Sequence, residues 1–166
     1  VTENMAEFTL PLDIESLDII SQSTDTQGNI VFEVRSKKAC STCHKCGKPA
    51  TKRNGVAPVR LIQHLSILDT PVYLRIKPIR YLCEHCDDNP TTTEQYDWCD
   101  RNASVSKGLE NYLMRCLIHS TIEDVSKKEN IGYKVIQSVL NRQVKKEVDW
   151  PLIDNLETIG IDEISM

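Results

Sequence analysis

Several things are scarce or missing in these 166 residues, and each absence narrows the options. No run of eighteen apolar residues occurs, which argues against a membrane-spanning helix. Glu3 and Glu7 stand where a secretory leader would carry basic residues ahead of an apolar run, so a cytoplasmic, reducing compartment is expected. Aromatic residues make up only 5 % of the chain, and neither an internal repeat nor a low-complexity segment is visible. One sign of charge is locally absent. Residues 1–33 hold seven acidic residues and no basic one, whereas residues 34–82 hold eleven basic residues and a single acid, Asp69. The net charge of -4 hides this contrast. Contact with phosphate is local, because salt screens charge beyond about 10 Å, so a basic block inside an acidic chain marks a candidate polyanion surface. A solvated basic face would give the same pattern.

Cysteine is plentiful by comparison. The seven cysteines are an odd number, and in a reducing compartment they point to metal before disulfides, which stay the less favoured alternative. Cys43-His-Lys-Cys46 and Cys83-Glu-His-Cys86 are two C-x-x-C pairs with 36 residues between them. Two thiolates at that spacing in a tight turn can reach one ion, and four of them close a tetrahedron with no open position. The metal expected is therefore a structural Zn2+ held by Cys43, Cys46, Cys83 and Cys86. Cys40 sits three residues before Cys43 and stays open as a competing first partner, although Gly47 supplies the turn that favours Cys43 with Cys46. His44 and His85 read as exposed rather than ligating, and Cys99 and Cys116 as small buried hydrophobes.

The segments between and after the cysteines divide the chain into four parts. Residues 1–36 form a strand-like cap. Residues 37–103 form the ribbon, with a hairpin of "VRLIQHLSIL" and "PVYLRIKPIRYL" joined at Asp69-Thr70-Pro71. Val59, Leu61 and Leu65 on one strand, and Val72, Leu74 and Ile76 on the other, are expected to face inward. Residues 104–148 turn to helical periodicity, with Val105, Leu109, Tyr112, Leu113 and Cys116 on one face. A capping box at Ser120 and Glu123 opens a short helix that stops near Asn130. Gly132 marks a turn, and Tyr133, Ile136, Val139, Leu140 and Val144 form the stripe of a third helix. This is the spacing of a helix-turn-helix, and a helical bundle with a polar face produces it equally. Residues 149–166 enter "ETIGIDEISM", read as a linker and the first strand of a further, truncated domain.

Read together, "CHKCGK", "HLSILDTPVYLRIKPIRYLCEHC", the helix-turn-helix and "IGIDEIS" resemble the ISL-three family of insertion-sequence transposases over about residues 38–166. The segment "DDNPTTTEQYDW" after the second pair departs from that family's shorter path. The resemblance implies an α+β, multi-module architecture: a small β zinc ribbon, then an all-α helix-turn-helix bundle, then the first strand of a truncated RNase-H-like DDE domain. It implies a bacterial, nucleoid-associated protein that binds double-stranded DNA at terminal inverted repeats and acts in DNA transposition, with a homodimer as an option and no membrane or small-molecule partner. Asp162, an ordinary strand-edge acid on the residues alone, matches the first catalytic aspartate of the resembled family. Mg2+ is expected only for the complete catalytic domain, so strand cleavage belongs to the parent protein and not to this chain. The DNA-contacting candidates are Lys52, Arg53, Arg60, Arg75, Lys77 and Arg80 in the basic block. On the third helix they are Lys134, Gln137, Ser138, Asn141, Arg142 and Lys145. A stand-alone zinc-ribbon and helix-turn-helix transcriptional regulator is the alternative.

Overall fold

Val31, Phe32 and Val34 alternate with Glu33 and Arg35 over most of their run, the composition of a half-buried strand. The computed structural model describes residues 12–144, and it places them in β2 (Ile30–Ser36), paired antiparallel with β1 (Leu17–Thr24). Asp25 closes the connecting turn by accepting the backbone N–H groups of Gln27 and Asn29 at 2.8 and 2.9 Å. The chain then makes two short strands, β3 (Ser41–Thr42) and β4 (Pro49–Ala50), followed by β5 (Lys52–Val56). A long hairpin follows, β6 (Arg60–Ile67) and β7 (Thr70–Ile76). Next come β8 (Ile79–Leu82) and β9 (Thr91–Thr93), then α1 (Lys107–Cys116), α2 (Ile122–Glu129) and α3 (Tyr133–Gln143).

These strands form three sheets: β1-β2-β7-β6, β3-β4 and β5-β8-β9. In the first, β2 and β7 run parallel, with Phe32 opposite Leu74 and Val34 opposite Ile76, while β6 and β7 are antiparallel. Its buried face carries Phe32, Val34, Ile62, Val72, Leu74 and Ile76, covered by Tyr96, Trp98, Cys99 and Ala103 from the segment after β9. Tyr96 and Trp98 stack with ring centroids 5.1 Å apart. The free edge of β6 is not left bare. Gln63 donates its N–H to Ser104 O at 2.8 Å and accepts from Ser106 N at 2.9 Å, so the approach to α1 protects the edge. Ser106 then caps α1 by accepting from Leu109 N at 3.2 Å.

The chain divides into two units between Ile118 and His119. In the second unit, α2 is capped by Thr121, whose hydroxyl oxygen accepts from Asp124 N at 3.1 Å, one residue later than the expected Ser120 box. It ends at Asn130 in the left-handed region, φ 50°. Three residues, Asn130, Ile131 and Gly132, turn the chain into α3, and α2 packs on α3. Val125, Ile131, Ile136 and Val139 are buried, whereas Tyr133 and Val144, expected on the inner stripe, are 47 % and 48 % exposed.

The expected architecture, a small β ribbon followed by an all-α helix-turn-helix bundle, is therefore incorrect. The fold is mostly β, with several sheets and three helices among the described residues. Two long-range pairings cause the difference. The β6–β7 hairpin, read as part of the ribbon, pairs instead with β2, about forty residues earlier. Helix α1, read as the first member of a bundle, packs on β6. A second correction concerns β6 itself. Val59, Leu61 and Leu65 are 53 %, 49 % and 37 % exposed, and Ile62 and His64 occupy the buried face. A one-residue change of parity inverts a strand, and this one has apolar side chains at both parities. Pairing of Ile62 with Leu74 and His64 with Val72 decides it. The hairpin turn also lies earlier than expected, at Leu68 and Asp69. Their φ angles of 49° and 61° match the type I′ turn that suits twisted strands. The strand expected around Ile159, with Asp162, lies outside the described residues, as does Lys145. Among the described residues no helix is long and apolar enough to cross a membrane.

Candidate metal centre

Each C-x-x-C segment folds into a knuckle closed by two backbone bonds. In the first, Cys43 N donates to Lys48 O at 2.9 Å and Gly47 N to Cys43 O at 3.0 Å, with Gly47 at φ 71°. In the second, Cys83 N donates to Pro90 O at 2.9 Å and Asn89 N to Cys86 O at 3.0 Å, with Asn89 at φ 45°. Asn89 also has a positive φ, but it stands three residues after Cys86, whereas Gly47 directly follows Cys46. Asparagine tolerates that conformation better than most side chains, a signal the sequence reading passed over. The strands bring the knuckles together: β8 delivers Cys83 directly, and β5 pairs with β8 so that Lys52 stands opposite Leu82. Lys45 and Lys52 of the first stretch form ion pairs with Asp88 and Glu84 of the second.

The outcome is a cage of four sulfurs from Cys43, Cys46, Cys83 and Cys86, all mutually within 4.8 Å. Individual S···S distances are 4.0 Å for Cys43–Cys86, 3.6 Å for Cys46–Cys83 and 3.8 Å for Cys83–Cys86. Sulfurs about 2.3 Å from a central ion in a tetrahedron lie about 3.8 Å from one another, so the spacing fits such an ion. Four cysteines this close could hold a metal ion, and a structural zinc is compatible with the donor set. Cys40 is exposed and outside the cage, as are His44 and His85. Cys99 is buried among Tyr96, Trp98 and Ala103, and Cys116 is half-buried on α1.

Thiol acidities differ around the cage. The Cys43 thiol is pulled down to about 6, first by the backbone N–H of Cys46, with burial opposing and the Lys45 N–H assisting. Cys86 is pushed up to about 12, first by its hydrogen bond with the Cys46 sulfur and then by burial, and burial likewise raises Cys83. The Lys45 N–H lies 3.4 Å from the Cys43 sulfur, the amide-to-sulfur contact that supports a ligating thiolate. Four thiols in one small space cannot all ionise without a cation, so the arrangement stores protons until a dication replaces them.

The basic block does not gather on one face. Arg60 lies on the parity of Ile62 and donates to the carbonyl oxygens of Ala103 and Asp100 at 2.7 and 3.2 Å. Arg75 is exposed on the opposite face of the same sheet, beside Glu33 in register. Lys52 pairs with Glu84 at 3.0 Å, and Arg53 stands opposite Tyr81 in the β5–β8 ladder. Lys77 and Arg80 are exposed, Arg80 on β8 and lining a cavity. On α3, Lys134, Gln137, Ser138, Asn141 and Arg142 are all exposed, with the Ser138 hydroxyl donating to Lys134 O at 2.8 Å. Residues that the sequence reading missed around the ribbon are Thr92, bonded to His44, and Arg101, which shares a cavity with Arg80. Measured against protein-family models, curated proteins and solved structures, the chain matches none, so its function has to be argued from the cage and the surfaces around it.

Proposed function

We propose that the chain is the DNA-binding part of a bacterial insertion-sequence transposase of the ISL-three type. In this reading a structural Zn2+ is held by Cys43, Cys46, Cys83 and Cys86, and α2–turn–α3 is the element that reads terminal inverted repeats. The observation that carries the reading is the composition of α3. Its exposed side holds Lys134, Gln137, Asn141 and Arg142, and the helix contains no acidic residue, unlike α2 with Glu123, Asp124 and Glu129. Asn and Gln can bond an adenine edge in two places, Arg can do so with guanine, and Lys neutralises phosphate. The three-residue turn with Gly132 supports the same assignment, being the connection such a reading helix needs. The zinc serves structure only, since four thiolates leave no position for a substrate. Strand cleavage belongs to a metal-dependent domain of the parent protein that would begin near Asp162.

The test compares duplex DNA carrying the element's terminal repeat with random duplex of equal length. Gln137→Ala or Asn141→Ala should lower the preference for the repeat by roughly tenfold or more, since one bidentate base contact contributes about 1–3 kcal/mol of discrimination. Binding to random DNA should change little. Equal losses on both duplexes would remove α3 from the role of reader.

A further inference from the structure

A cavity of about 320 Å³ opens beside the first knuckle, lined by His44, Arg80, Thr91, Thr92, Thr93 and Arg101. We infer that it is a phosphate-binding pocket that takes a backbone phosphate of a nucleic acid, an assignment that rests on the DNA-binding reading above. The lining holds two guanidinium groups and no carboxylate. Two other cavities of this unit are different. One of about 610 Å³ is lined by Asp13, Glu15 and Asp97 with Lys37, and one of about 250 Å³ by Glu94 and Asp100 with Arg60 and with Arg101, which borders both this cavity and the first. Asp88, which feels the charge of His44, is held by Lys45. Neither Arg80 nor Arg101 forms an ion pair among the described residues, although Lys45, Lys52 and Lys107 all do. Two like charges sharing a cavity repel each other, and an anion between them turns that cost into attraction.

The neutral groups complete a donor set. Arg80 stands opposite Thr93 in the β8–β9 ladder, which places the threonine hydroxyl beside the guanidinium. Thr91 Oγ1 accepts from Asn54 Nδ2 at 2.9 Å, leaving its own hydroxyl proton to donate. Thr92 Oγ1 accepts the backbone N–H of His44 at 3.3 Å and lies 2.9 Å from His44 Nδ1. The contact with Thr92 holds the His44 ring at the rim of the cavity. Guanidinium forks suit the tetrahedral oxygens of phosphate, and hydroxyl donors fill the remaining directions. Contact of this kind positions a duplex and reads no sequence.

The experiment uses the full metal-loaded chain and two probes, inorganic phosphate and a random duplex. Phosphate titration should shift the amide resonances of Thr91–Thr93 saturably, and the shifts should vanish in Arg80→Gln/Arg101→Gln. Absence of any saturable shift overturns the pocket. For the duplex, the double variant should bind on the order of tenfold more weakly near 0.1 M salt. The slope of log affinity against log salt should shrink by about 0.9, the share of a single neutralised phosphate. Arg101→Lys keeps the charge and loses the fork, so it should fall between wild type and the double variant, and it controls for any folding defect. A normal salt slope in the double variant, with phosphate shifts intact in wild type, would make this a free-phosphate site and overturn the nucleic-acid assignment. Wild-type chain that binds no duplex would remove the DNA reading itself, and the amide titration would still show whether the cavity accepts an oxyanion.

Discussion

The four-stranded sheet and the cysteine ribbon, meaning the two knuckles with β3, β4, β5, β8 and β9, belong to one unit of the chain, yet different forces hold them. The sheet buries a continuous apolar cluster of Phe32, Val34, Ile62, Val72, Leu74 and Ile76 under Tyr96 and Trp98. The ribbon's own cluster is Cys43, Ala50, Tyr81 and Cys83, with Ile79 and Cys86 at its margin. Apolar burial contributes about 25 cal/mol per Å², so the first cluster stabilises its sheet directly while the second is too small to do so. Half of that cluster's buried side chains are cysteines of the cage, and in the proposed reading a bound metal ion would replace the missing core. The two regions alternate along the chain: β2 leads into the first knuckle, and β7 into the second through the buried Pro78. The sheet therefore holds the chain on either side of the knuckles, while the pairing of β5 with β8 brings the knuckles to one place.

The largest effect expected from breaking this contrast is on the ribbon. Cys83→Ser should lower bound zinc from one ion per chain to none, since structural zinc sites contribute roughly 10–16 kcal/mol of apparent binding energy in small peptides. Amide exchange should then speed up in β5, β8 and β9 while β2, β6 and β7 stay protected; a uniform loss would mean the two regions do not fold separately. Leu74→Ala attacks the other side. Leu74 is fully buried between β2 and β6, so truncation should cost about 2–5 kcal/mol in urea unfolding, with zinc content per folded chain unchanged. Zinc loss in that variant would show that the sheet, and not the cysteines, sets the metal site.

The smallest effect concerns His64, on the seam where β6 meets the start of α1. Its Nδ1 lies 2.7 Å from Ser106 Oγ and its Nε2 3.1 Å from Leu12 O, which is the pattern of a neutral ring. Burial holds its pKa below the ordinary histidine value, against the Leu12 carbonyl and the charge of Asp13. The unfolded chain takes up a proton near the ordinary value of about 6.5, before the folded chain does. The stabilising contribution is therefore complete above that pH and declines as pH falls below it. His64→Gln should be less stable than wild type at pH 7.5, and the gap should narrow by pH 5.5. A gap that stays constant or widens would show that the ring does not titrate in this way. Acid release of the metal acts on both proteins alike and cancels in the comparison.

How much of this was readable beforehand depends on the distance over which the signal acts. The knuckles are local: two residues separate each pair of thiols, and Gly47 announces the turn. The helix pair is local too. Thr121, Asn130 and Gly132 mark its boundaries to within one residue of where cap chemistry put them. Arg60 misled the reading because its charge suggests solvent, while its guanidinium is held by the carbonyls of Ala103 and Asp100, about forty residues later. The parity of β6 misled it too, since Leu61 and Leu65 offer an apolar face, whereas His64 is the buried residue and both its ring nitrogens find partners.

Spacing and turn chemistry by themselves favoured Cys43 with Cys46 over Cys40 and marked where α2 gives way to α3, because both depend on a few consecutive residues with restricted backbone angles. The tertiary structure alone decided that β2 lies beside β7, that Ile62 and not Leu61 faces inward, and that Arg80 and Arg101 share a cavity. Those outcomes come from register and packing between segments far apart in the chain. Burial there is a compromise among many partners, and no single stretch of sequence holds enough of them to settle it.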